Sequence, residues 1–144
     1  MTRDVFASRR TDWAIYVLTL LLVGRQALAY LWWGAVEIGV RLGIWPPDLL
    51  ALDVYGYYDQ VTVLHETVFI IAALGFVSAL IATLRRSRWA PHILIACLVP
   101  GISDWVLLTT IPQMINDLSG YLHLIGHLVA ICGLLFLRWR DFLR

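Results

Sequence analysis

Five of the side chains in this chain that are of types able to bind metals or move protons fall together inside or at the edge of long apolar runs. His123 and His127 stand four residues apart, so on a helix they share one face, a turn from each other. His65 and Glu66 adjoin in a second apolar run, and Asp104 lies in a third. Ionisable groups placed where lipid penalises them are functional candidates by default, and the competing reading is interhelical hydrogen bonding.

Three imidazoles and two carboxylates are ligands that Zn, Fe, Mn and Cu accept, and helical bundles build such sites from facing helices. His65, Glu66, Asp104, His123 and His127 are accordingly the candidate metal ligands. Haem b is the other cofactor expected from this set, held by His65 with His123 or His127, and either cofactor would suit membrane-localised redox chemistry. A third chemistry needs no cofactor: Glu66 or Asp104 as the catalytic acid or base, with a histidine partner, on a lipid-like substrate. The His65-Glu66 pair does not extend to the zinc-protease pattern, since position 69 is Phe69.

The elements that must position these residues are membrane spans. A 144-residue chain that is 60% hydrophobic is too apolar for a soluble domain, and its mean hydropathy is +0.77. One all-α integral membrane domain is expected over 1–144, a four-helix bundle with spans at about 13–34, 61–84, 91–111 and 118–137. Pro46 and Pro47 end the first, and the helix there is expected to run on past the lipid, because Glu37 and Arg41 are spaced for an ion pair. Pro91 suits the first turn of the third span, Pro100-Gly101 should kink it and Pro112 closes it.

Charge orients the bundle. The eleven basic residues are all arginine, and nine of them gather at Arg3, Arg9 and Arg10, at Arg85, Arg86 and Arg88, and at Arg138, Arg140 and Arg144. The positive-inside rule then places both termini in the cytoplasm and the two acidic connections outside, as in a multi-pass protein of a bacterial inner membrane. Trp13, Trp89 and Trp139 fall at the inner boundaries and Trp32, Trp33 and Trp45 at or beyond the outer one, which agrees. The longer outer loop between spans one and two carries Asp48, Asp53 and Asp59 with Tyr55, Tyr57 and Tyr58, and is a candidate lid. Arg9, Arg10 and Ala27-Leu28-Ala29 imitate a secretory signal, but Arg25 interrupts it, so an uncleaved first span is expected.

At about 1.5 Å of rise per residue, His65 lies about 6 Å below the outer boundary, Glu66 and His123 about 8 Å, Asp104 about 10 Å, and His127 and Arg25 about 14 Å. Six ionisable residues from four spans therefore share the outer half, which predicts one polar pocket. Faces agree with this: Ser119, His123, Gly126, Ala130 and Gly133 form a small-residue seam, while Cys97, Gly101, Asp104 and Leu108 share one side of the third span and Thr62, His65, Glu66 and Phe69 one side of the second. A bland alternative pairs Arg25 with Asp104 or Glu66 as a structural ion pair and leaves His65, Glu66 and His123 as hydrated helix ends. His92 is expected at the inner interface, and Asp53 and Asp59 in solvent.

Net charge of +1 without a basic stripe gives no reason to expect nucleic acid. Cys97 and Cys132 lack metal-ligand spacing and read as small apolar packers. The expected partner is the lipid bilayer. The main alternative to a pocket with chemistry is a non-catalytic accessory or assembly subunit, docked in a larger membrane complex or a homo-oligomer through its small-residue seam.

Overall fold

The computed structural model describes residues 2–45, 54–111 and 118–144, with side chains for 9–45, 55–111 and 120–144. Among these residues the chain is all-helical: α1 (Thr2–Arg41), α2 (Val54–Tyr58), α3 (Val63–Leu84), α4 (Ala90–Ala96), α5 (Leu98–Leu108) and α6 (Leu118–Trp139). Four stretches are long and apolar enough to cross a membrane, Arg9–Arg41, Val63–Leu84, Ala90–Leu108 and Gly120–Trp139. The chain is thus a polytopic membrane protein. Pro112, Asn116, Asp117, Asp48, Asp53 and the side chain of Ser119 lie outside the described residues.

α1 is longer than a span needs. Its 40 residues measure roughly 60 Å, about twice the hydrocarbon thickness, so the helix projects beyond the lipid. It stops at Arg41 because Gly43 adopts a left-handed φ of +66°, and Ile44 N–H then turns back to the Gly39 carbonyl at 2.8 Å. The projecting end is wrapped in aromatics. Val36 and Val40 pack with Trp33, Trp45, Tyr55 and Tyr58, and the Tyr58 hydroxyl donates to the Trp33 carbonyl at 3.3 Å. This fixes α2, the short helix of the long loop, over one end of the bundle.

The third span breaks as its proline predicts. Pro100 has no N–H, so the carbonyl four residues earlier loses its donor, and the span divides at Cys97 into α4 and α5. Below the break α4 packs against α6, whereas above it α5 stands off α6. That divergence leaves a gap in the bundle on the side of the ionisable residues.

The small-residue seam of α6 faces α1. A Cβ on Gly126 would meet Leu22 and Gln26 at an ordinary 3.8 and 3.9 Å, whereas one on Gly133 would fall on the Thr19 hydroxyl, so at Gly133 the helices approach more closely than alanine allows. Fully buried Val23, Ala27, Phe76, Ala79, Ala130 and Leu134 make the core between α1, α3 and α6. The large apolar side chains left exposed on the outer faces, Leu21, Leu28, Leu74 and Ile125 among them, are what a lipid-facing surface requires.

The arginine clusters collect at the opposite end from α2. Arg88 N–H donates to the Arg144 carbonyl at 2.9 Å, the Arg86 guanidinium donates to the Phe142 carbonyl at 2.7 Å and stacks over that ring at 4.0 Å, and Arg140 bonds Asp12 at 3.3 Å. The tail, the 85–88 turn and the start of α1 therefore share one end. His92 is there too, exposed, against Arg138 and with its ring edge-on to Trp89 at 5.7 Å.

Candidate functional site

A cavity of about 550 Å³ occupies the gap left by α5, and Arg25, His65, Glu66, Asp104, His123 and His127 all line it. Each helix supplies its share through periodicity. α1 presents Arg25, Ala29, Tyr30, Trp33 and Glu37 at spacings of one, three and four, and α6 presents Gly120, His123, Leu124 and His127. Tyr57 and Tyr58 of α2 close the end of the cavity that α1 overhangs. Asp59, one residue further on, is exposed and does not line it.

A buried polar contact joins α1 to α5. The Tyr30 hydroxyl donates to Asp104 Oδ2 at 3.0 Å, and the two residues are 8% exposed each. Tyr30 is held in turn by its ring, stacked on Phe76 at 5.0 Å and tilted against Phe69 at 5.3 Å. Phe76 is wholly buried, and the His123 and His127 rings stand edge-on to it at 5.8 and 5.1 Å. One phenylalanine thus sets the positions of the tyrosine that holds the acid and of both histidines.

The histidines differ in what they have left to offer. His65 is spent on structure: its Nδ1 accepts from the Thr62 N–H at 3.2 Å, and its Nε2 lies 3.2 Å from the Leu107 carbonyl. This is a cap for the start of α3 and a tie to the end of α5, with both ring nitrogens engaged. His127, 2% exposed, turns Nε2 onto the Leu94 carbonyl of α4 at 2.8 Å. A carbonyl only accepts, so Nε2 carries the proton and the lone pair of the neutral ring is on Nδ1. His123 Nε2 is buried and has no hydrogen-bond partner.

The charged residues divide into rim and interior. Arg41 bridges Glu37, at 3.0 Å, and Glu66, which ties α1 to α3 at the mouth under the exposed guanidinium. Glu66 is therefore committed to an ion pair. The structural pairing of Arg25 with Asp104 or Glu66 does not form: Asp104 takes its bond from Tyr30, Glu66 takes Arg41, and Arg25 has no ion pair or hydrogen bond among the described residues. Burial pushes the Tyr57 phenol up to about 12, with the Asp104 and Glu37 carboxylates adding to it. The Tyr58 phenol is pushed up as well, by burial first and then by Tyr57 and Glu37, against the opposing charge of Arg41.

Among the described residues no three His, Cys, Asp or Glu side chains stand close enough together to hold a metal ion. The reason lies in their commitments, since His65, Glu66 and Asp104 each point at a protein partner. The residues that sequence reasoning passed over are Tyr30, Gln26 and Trp105, whereas Tyr57 and Tyr58 belong to the loop read as a candidate lid and do line the cavity. Gln26 and Tyr30 stand four apart beside Arg25 in an otherwise apolar run, a signal available from sequence. Gln26 is 1% exposed; its amide donates to the His123 carbonyl at 3.3 Å and its Oε1 is buried without a partner. No protein family, no curated protein and no solved structure matches this chain.

Proposed function

We propose that this polytopic protein takes a lipid-like molecule into the cavity and moves a proton on it, with Asp104 as the group that takes the proton up and returns it. One observation carries the reading: the Tyr30–Asp104 bond and the unpartnered His123 Nε2 belong to the wall of one cavity, which also presents apolar surface from Phe69, Ile102, Trp105, Leu108 and Leu124. Few polar groups converging in an apolar cleft is the pattern of a small-molecule site. Proton removal at one carbon and return at another is redox-neutral, so the step needs no co-reactant. Tyr30 positions the carboxylate, and the Glu66–Arg41 pair organises the mouth.

The metal and haem readings draw less support from the same geometry, because His123 Nε2 and His127 Nδ1 are the ring positions left for a ligand. The arginine distribution supports cytoplasmic termini and a bacterial inner membrane, with the cavity opening toward the outer face.

The test is deuterium incorporation. Detergent-purified protein is incubated in D₂O with the total lipid extract of its host membranes, and the lipids are read by mass spectrometry. One lipid species should gain deuterium with the wild type and Glu66→Gln and not with Asp104→Asn. If no species gains it, or Asp104→Asn is as active as wild type, the reading is wrong.

A further inference from the structure

We infer that the molecule taken by the cavity is an acidic amphiphile, whose carboxylate or phosphate is held by Arg25 and His123 while its tail lies along the aromatic wall. The inference rests on the pocket reading above and names the class of ligand. A guanidinium halfway along a span is among the costliest groups a membrane protein can carry, and such groups are stabilised by pairing or by access to a polar cavity. Arg25 lies about 14 Å below the outer boundary by helical rise. It lines the cavity, is exposed, and lacks an ion pair among the described residues.

Among the described residues the carboxylates that line the cavity already have partners other than Arg25. Glu37 and Glu66 share Arg41 at the mouth, and Asp104 is bonded by Tyr30. Among the described residues no carboxylate lining the cavity is left over for Arg25, and an anionic ligand would supply its counter-charge. His123 supplies the second donor: its Nε2 is buried, unpartnered and on the lining of the same cavity, and as the Nε2–H tautomer it donates to an anion oxygen. Ala29, Phe69, Ile102, Trp105, Leu108 and Leu124 form an apolar part of the same lining, which suits an alkyl or isoprenoid tail. A fully hydrated small anion would leave that surface uncovered.

The test is ligand binding by the full chain in a non-ionic detergent, read by the fluorescence of Trp33 and Trp105, which line the cavity. The probes are oleate and phosphatidic acid as acidic amphiphiles, oleyl alcohol and oleylamine as the neutral and cationic counterparts, and inorganic phosphate as the bare anion. Oleate or phosphatidic acid should bind at least about tenfold more tightly than the alcohol or the amine. Arg25→Gln should remove that preference, the loss expected for one charge-assisted hydrogen bond, while Arg25→Lys retains part of it and guards against a folding defect. Equal binding of alcohol and acid, tighter binding of the amine, or an Arg25→Gln variant with unchanged preference overturns the inference while leaving the pocket reading intact. Phosphate competing as tightly as the amphiphiles overturns the assignment of a tail. If no amphiphile binds, both readings fail together.

Discussion

Tyr30 and Asp104, separated by 74 residues in the chain, meet in a 3.0 Å hydrogen bond across the wall of the cavity. Replacing Tyr30 by Phe keeps the ring on Phe76 and Phe69 and removes only the donor. Leaving that buried carboxylate without its partner should cost about 1–3 kcal/mol of stability. Deuterium incorporation should fall by about tenfold or more, since the carboxylate loses the bond that orients it. Thermal unfolding in detergent and the exchange assay report the two effects separately.

The seam makes a graded prediction. Gly133→Ala places a methyl on Thr19 and should destabilise by about 1–3 kcal/mol through overpacking. Gly126→Ala meets its neighbours at ordinary distance, 3.8 and 3.9 Å, and should change stability by no more than about 0.5 kcal/mol. Gly120→Ala falls on the Trp105 ring and should push it into the cavity, shifting tryptophan emission and weakening amphiphile binding. Equal melting temperatures for the Gly133 and Gly126 variants would count against the α1–α6 register.

His65 should behave as a cap. His65→Ala is expected to cost about 1 kcal/mol, the usual loss when a helix start gives up its capping side chain, and His65→Gln should recover most of it, because glutamine serves the same position of a capping box. A ligand role would show the opposite pattern, with Gln no better than Ala in amphiphile binding or deuterium exchange.

Tyr57 provides a pH signature for the α2 roof. Its phenol is raised from 10.0 to about 12 in the folded protein. Below pH 10 both folded and unfolded chains keep the proton, so stability there is independent of it; as pH climbs from about 10 through about 12 the unfolded chain gives up the proton first and stability falls. In a phenolate absorbance titration Tyr57→Phe should remove one late-titrating phenol, and its stability should fall less steeply over that window.

Several features were legible from local pattern. Span number follows from the length and apolarity of contiguous runs, and the shared depth of Arg25, His65, Glu66, Asp104, His123 and His127 follows from helical rise alone, so their convergence on one cavity could be anticipated. A kink in the third span was anticipated from Pro100-Gly101, though not its place at Cys97, and the Glu37–Arg41 pair from its spacing. The commitments of the site residues were not legible. A histidine that caps α3 and one that leaves a bare nitrogen in a cavity look alike in sequence, and nothing local tells Glu66 that Arg41, 25 residues away, will reach it.

What the sequence alone determined is a four-span apolar chain whose ionisable residues within the spans fall in one half of the bundle, because hydropathy, proline chemistry and periodicity act within a few residues of chain. Tertiary structure decided which of them have partners. That outcome depends on helix rotation and on how far α5 diverges from α6 above Cys97, and these set distances between residues tens of positions apart. They gave Asp104 to Tyr30 and Glu66 to Arg41, and left Arg25 and the His123 Nε2 facing the cavity without partners among the described residues.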